Sequence, residues 1–270
     1  MKTAHVCICR RFAPSALLAL CLTRAAHAGD VLYLRWDNCF GDGGVYNKTF
    51  ACDTNSGSEI LVGSFRLAAT ADSVSALEIV VDLAALGPTM PAWWSMRASG
   101  PVGCRTTSLS QIVSPPVTST ACLDLWTPLG AVGGINEDPP SGNTARIHSL
   151  VGLPFGNWGT VQAGQEDFAF QLRIDHARTT GSGACAGCST PVCIAWGQAR
   201  VRRGSAVPLL PILGATTPGN GSNVTWQSGA VATTVGDCPP DNYCPPLVMC
   251  QSVTPAHDST WGSIKSLYRR

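Results

Sequence analysis

The sequence predicts an all-β protein: an antiparallel two-sheet β-sandwich of jelly-roll or immunoglobulin-like type, disulfide-stabilised, with a short C-terminal helical turn. Three observations predict it. Apolar and polar residues alternate along short segments bounded by Gly, Pro, Asn or Ser, and no segment carries the three-to-four spacing of an amphipathic helix. Ten of the 13 cysteines lie behind an N-terminal leader, an even set that reads as a disulfide framework in an exported chain.

The leader has three parts. Lys2, Arg10 and Arg11 precede an apolar run from Phe12 to Leu22, and Ala26-His27-Ala28 supplies the small residues of a cleavage site. This predicts a signal peptide over residues 1–28, cut near Ala28, and a secreted protein, extracellular or periplasmic, that begins at Gly29. The apolar run is about half of the roughly 20 residues a spanning helix needs, so no transmembrane span is expected. Losing Lys2, Arg10, Arg11 and Arg24 turns the formal charge of +1 slightly negative. Only Arg200, Arg202 and Arg203 cluster, which argues against nucleic acid as a partner.

Along the chain, the clearest strands are Leu77 to Leu83, where Leu77, Ile79, Val81 and Leu83 face inward, and Phe168 to Asp175, where Phe168, Phe170, Leu172 and Ile174 do so. Shorter candidates are Val31 to Trp36, Ile60 to Ala68, Ala92 to Arg97, Arg146 to Val151 and Cys193 to Val201. Ser114-Pro115-Pro116, Glu137-Asp138-Pro139-Pro140 and the stretch from Ala206 to Asn223 read as loops. The sandwich is expected over 29–235. Residues 236–270, dense in cysteine and proline, read as a disulfide-stapled tail packed on the same domain, with Ser259 to Arg270 forming one or two helical turns.

The disulfide set comprises Cys39, Cys52, Cys104, Cys122, Cys185, Cys188, Cys193, Cys238, Cys244 and Cys250. Local pairing is the simplest assignment: Cys39 with Cys52, Cys104 with Cys122, and Cys238 with Cys244. The odd cluster Cys185, Cys188 and Cys193 then requires a long-range bond, assigned to Cys250. A zinc site or a redox-active Cys185-Ala186-Gly187-Cys188 is the competing use of that cluster, disfavoured by the oxidising compartment and by the absence of a βαβ pattern.

Two constellations point to ligands. Asp37, Asn38, Asp42 and Asp53 gather oxygens in a Gly-rich segment and could hold a structural calcium, although the spacing is not that of an EF-hand and turn chemistry explains the same residues. No other cofactor is implied. Eight tryptophans could include sugar-stacking platforms; Trp93, Trp158 and Trp226 are the candidates, with the core as the competing place for each. Trp93 and Trp94 would point to opposite faces of a strand. No Gly-x-Ser-x-Gly elbow and no His-Glu-x-x-His occurs. His176 reads as a strand-end core residue. Glu78 with Asp82 shares a strand face that reads as solvated surface. Asn47-Lys48-Thr49, Asn220-Gly221-Ser222 and Asn223-Val224-Thr225 fit the glycosylation sequon, which matters only in a eukaryotic source.

The segments Leu34-Arg35-Trp36-Asp37-Asn38-Cys39 with Gly41-Asp42-Gly43-Gly44, Asn47 to Cys52, Pro191-Val192-Cys193-Ile194, and the ending from Thr260 to Arg269 resemble a group of uncharacterised secreted bacterial proteins predicted from environmental genomes. The resemblance covers nearly the whole mature chain and implies export and a single module, but it supplies no catalytic residue. Together these readings predict a secreted non-catalytic surface module whose partner is a polysaccharide or another envelope component. An extracellular hydrolase with a glycosidase-like carboxylate pair and a structural assembly component are the competing classes.

Overall fold

The computed structural model describes residues 29–96, 103–204, 210–213, 221–234 and 248–252. In chain order the strands are β1 (Val31–Trp36), β2 (Asn47–Lys48), β3 (Ser58–Arg66), β4 (Ala71–Ala85), β5 (Leu109–Ile112), β6 (Val132–Ser141), β7 (Thr144–Gly152), β8 (Gly159–Val161), β9 (Glu166–Asp175), β10 (Val192–Arg203), β11 (Leu210–Leu213), β12 (Asn223–Trp226), β13 (Ala230–Thr234) and β14 (Val248–Ser252). They form a four-stranded sheet ordered β1-β3-β9-β5, an eight-stranded sheet with the path β2-β12-β10-β4-β7-β6, and a β13–β14 hairpin. In the eight-stranded sheet β11 adds to β10 and β8 to β4, and every pairing but the two-residue β2–β12 contact is antiparallel. The chain is thus a disulfide-stabilised all-β sandwich.

Alternation builds the core between the two large sheets. Leu77, Ile79, Val81 and Leu83 of β4 and Phe168, Phe170, Leu172 and Ile174 of β9 are all buried. Gly63 of β3 is where the sheets need an absent side chain, because a Cβ there would lie 2.2 Å from the Phe170 ring. In β10 a bulge between Trp196 and Gln198 adds one residue against β4. Its consequence is a change of parity: Val192, Ile194 and Trp196 point inward before it, Ala199 and Val201 after it, and all five are buried.

The hairpin forms a third layer. Ala230, Ala232 and Val248 pack on Ala84, Cys193 and Ala195, which sit on the side of the large sheet turned away from the main core. The Cys193–Cys250 disulfide fastens it there, as the long-range assignment of Cys250 anticipates. The other bonds overturn local pairing: Cys39 joins Cys122, Cys52 joins Cys188 and Cys104 joins Cys185, across 83, 136 and 81 residues. Sequence neighbours are separated because each loop is carried off by a different strand, and only sheet register decides which loops meet. Closing loops of this length stabilises by on the order of 4–5 kcal/mol each on the chain-entropy account, less where loops overlap. Cys238 and Cys244, the leader and the C-terminal helical turn lie outside the described residues.

Three local expectations are corrected. Residues 92–94 form a 3₁₀ turn rather than a strand, with the Trp94 N–H donated to the Pro91 carbonyl. Successive side chains of such a turn diverge without alternating between two faces, so Trp93 and Trp94 are both buried, rings edge-on with centroids 5.1 Å apart. Glu137-Asp138-Pro139-Pro140 lies within strand β6, the end strand of the eight-stranded path, where both prolines are tolerated because the ladder with β7 skips from Asp138 to Ser141 and the outer flank needs no donors. Leu210–Leu213, inside a stretch read as loop, pairs with β10.

Candidate functional site

Cross-strand partners share a sheet face, so the register gives the composition of the side of the large sheet turned away from the core. Four rows cross it. Val132, Gly152, Ala76 and Arg202 form the first row, Gly134, Leu150, Glu78 and Arg200 the second, Asn136, His148, Val80 and Gln198 the third, and Asp138, Arg146, Asp82 and Ala195 the fourth. Small residues create relief on this face. Ala76 and Gly152 leave a groove of about 670 Å³ walled by the loop Leu153–Trp158 and by Arg202 and Arg203. A second hollow of about 350 Å³ opens over Gly134, between Glu78, Asn136, His148 and Leu150 with Val80 at its floor. Nothing lies within 4 Å of where a Gly134 Cβ would stand.

Trp158 closes one end of the groove and is 57 % exposed; Phe155, in the same loop, is fully exposed. The six other described tryptophans are buried. Of the three proposed sugar platforms, therefore, only Trp158 is accessible. Trp93 and Trp226 are corrected to core residues, since both have no exposed surface and stack on each other with centroids 5.2 Å apart. Their indole N–H groups are already used, Trp93 Nε1 on Thr179 Oγ1 at 3.0 Å and Trp226 Nε1 on the Cys188 carbonyl at 2.7 Å. Arg105 is the polar hub of this cluster. Its guanidinium lies 3.6 Å from the Trp93 ring centre and donates to the carbonyls of Trp93, Ala177 and Asp175. Burial pushes its pKa down to about 10, against the opposing pull of Asp175 and Glu137.

The three acids of this face are each matched. Arg146 reaches Asp82 with a two-point fork, Nε to Oδ1 at 2.6 Å and Nη2 to Oδ2 at 3.1 Å. His148 Nε2 lies 3.0 Å from Asp138 Oδ2, and Arg202 pairs with Glu78. Asp82 was expected on a solvated surface with Glu78, yet it has no exposed area. Its fork with Arg146 is what permits a buried charge there. The alternation of β4 and β7 signals a polar face, whereas these pairings depend on register and are invisible in the separate segments.

Among the described residues, the carboxylates considered for calcium, Asp37, Asp42 and Asp53, do not form one close group of ligand atoms. Asp37, with φ of 71°, is a turn residue whose carboxylate accepts from Lys48 Nζ at 2.7 and 2.9 Å. Asn38 accepts the Cys39 N–H and donates to Thr118, while Asp53 is exposed beyond the Cys52 bridge. Asp42 accepts from Ser119 Oγ at 2.6 Å, both Thr120 donors and the Ala121 N–H. Burial works to raise its pKa, and these donors outweigh it, holding it at about 2. Its anion tethers the loop after Gly41 to residues 119–121. Among the described residues, the close group of potential metal ligands is Cys39, Asp42 and Cys122, whose two sulfurs are spent on each other.

A second carboxyl pair escaped sequence reasoning, because Glu166 and Asp167 open a strand whose alternation begins after them. Glu166 accepts the N–H groups of Phe40 and Gly41, each at 3.0 Å, and the Ser64 hydroxyl at 2.5 Å. Asp167 is 3 % exposed, with Oδ2 buried and unpartnered among the described residues. Burial, then the Glu166 carboxylate, pushes its pKa up to about 7. Both groups are shut away from solvent, so they serve the fold rather than a substrate. His176 is the strand-end core residue anticipated, 5 % exposed, stacked on Phe50 and bonded to the Ser56 carbonyl and Glu59.

No protein-family model and no curated protein matches this chain. The functional reading therefore rests on the geometry of the grooved face. Four disulfides fit an oxidising, extracellular or periplasmic environment, and no helix among the described residues is long and apolar enough to cross a membrane.

Proposed function

We propose that the protein is a secreted, non-catalytic module that binds polysaccharide through the grooved face of its larger sheet. The signal peptide over residues 1–28 and the resemblance to secreted bacterial proteins support export. The observation that carries the binding role is the placement of Trp158. A half-exposed indole at the mouth of a groove, beside the exposed Phe155 and the polar Asn157, offers a flat apolar surface with hydrogen-bonding groups at its edge. That is the chemistry a sugar ring requires, with its C–H face on the aromatic ring and its hydroxyls on the polar rim. The acids of this face, Glu78, Asp82 and Asp138, each face a cationic or histidine partner, which favours recognition over a general-acid and nucleophile pair.

The test is a glycan array followed by polysaccharide pull-down with the oxidised protein and its Trp158→Ala variant. Retention on at least one polysaccharide is expected, with affinity lowered tenfold or more in the variant, equivalent to about 1.4 kcal/mol. Equal retention of both proteins, or none on any glycan, overturns the reading. Release of reducing sugar from a retained polymer would move the assignment to the hydrolase class.

A further inference from the structure

Resting on the polysaccharide reading above, we propose that this face takes a neutral polysaccharide as an extended chain laid along β4 and β7, filling both hollows, rather than a single sugar or a polyanion.

Continuity is the first argument. The groove beside Trp158 and the hollow over Gly134 lie on one face in consecutive rows, and the Glu78–Arg202 pair stands between them, with Arg202 lining the groove and Glu78 the hollow. The line from Gly152 to Arg146 follows one strand, so at about 3.4 Å per residue the face is roughly 20 Å long. A monosaccharide fills one hollow and leaves the other empty. A chain running with the strands occupies both and crosses the Glu78–Arg202 pair, whose oxygens and nitrogens can exchange hydrogen bonds with hydroxyl groups without parting.

Charge is the second argument. Asp82 is held by Arg146, Glu78 by Arg202 and Asp138 by His148. A polyanion gains affinity by neutralising free cations, whereas here it would meet Glu78 beside Arg202 and Asp82 beside Arg146 and would have to separate those pairs to reach them, while Arg203 on the groove wall is engaged on the Asp72 carbonyl. Hydroxyl groups make no such demand, since they both donate and accept. Val80 and Leu150 add apolar contact in the second hollow, where His148 and Asn136 provide the polar edge.

Titration calorimetry of the oxidised full chain distinguishes the possibilities. The probes are cello-, xylo- and laminari-oligosaccharides of one to six units, with polygalacturonate as the polyanion. For at least one neutral series, affinity is expected to rise tenfold or more between two and five units and then level off. Trp158→Ala should weaken both the disaccharide and the hexasaccharide. His148→Ala and Asn136→Ala should weaken only the longer ligand, three- to tenfold. Binding that is independent of length, or a hexasaccharide affinity untouched by both second-hollow variants, overturns the extended-chain inference while leaving polysaccharide binding intact. Tighter binding of polygalacturonate than of every neutral series overturns the neutral class. Silence of all probes in both calorimetry and pull-down overturns this inference and the reading beneath it together.

Discussion

The tryptophans around Arg105 and the aromatic pair Phe155 and Trp158 are the same chemical material in opposite settings. In the first group every indole is sealed, and the nitrogens of Trp36, Trp93 and Trp226 meet an oxygen at 3.0, 3.0 and 2.7 Å. In the second, glycines flank the aromatics on both sides and the rings stand in solvent above a groove floored by Ala76 and Gly152. The difference teaches that aromatic count is uninformative here. Local chain geometry decides, because the 3₁₀ turn at residues 92–94 tucks both rings inward while the loop Leu153–Trp158 holds its rings out.

Three substitutions sharpen the contrast. The largest effect is expected from Trp226→Ala, which empties the centre of the sealed cluster against Trp36, Trp93, Trp94 and Phe50. A loss of about 3–5 kcal/mol is expected in urea unfolding monitored with the disulfides intact. A loss below about 1 kcal/mol would mean that the cluster is not the packing centre described.

An intermediate effect is expected at Asp167, whose buried Oδ2 has no partner among the described residues. Its folded pKa of about 7 lies above the ordinary value of 3.8, so the folded state holds the proton more tightly than the unfolded chain. The associated stability is fully present below pH ~4 and is lost as pH rises through ~7. Asp167→Asn should remove that slope and raise stability at pH 8 by on the order of 2 kcal/mol. Thermal melting of both proteins across pH 4 to 8 checks this, and parallel curves would contradict it.

The smallest stability effect belongs to Trp158→Ala. Its ring is half in water, so unfolding free energy should change by no more than about 0.5 kcal/mol even where ligand binding collapses. A destabilisation matching that of Trp226→Ala would erase the distinction between the two aromatic groups.

Leu77 to Leu83 of β4 and Phe168 to Ile174 of β9 are legible in the sequence because their inward residues keep one parity over those stretches. β10 is legible as a strand at Cys193 to Val201, but its facing is not, since the extra residue at its bulge shifts the inward set from Trp196 to Ala199 and a period-two reading loses that parity midway. Trp93 and Trp94 mislead for a related reason: two adjacent apolar residues fit a strand as readily as a turn, and the hydrogen bond to the Pro91 carbonyl decides between them. The exposure of Trp158 follows from its glycine-rich surroundings, but the partners of Glu78, Asp82 and Asp138 come from strands whose register no local pattern encodes. Cysteine partners are hidden in the same way: Cys185 and Cys188 stand three residues apart, yet one reaches Cys104 and the other Cys52.

The prolines at 139 and 140 have a bearing on the molecule's life among its own copies. At the last strand of the broad sheet, two successive backbone nitrogens carry no hydrogen, and the ladder with β7 skips from Asp138 to Ser141. A stray strand seeking to extend the sheet meets a gap in donors at that rim. The border is blunted against fibre growth.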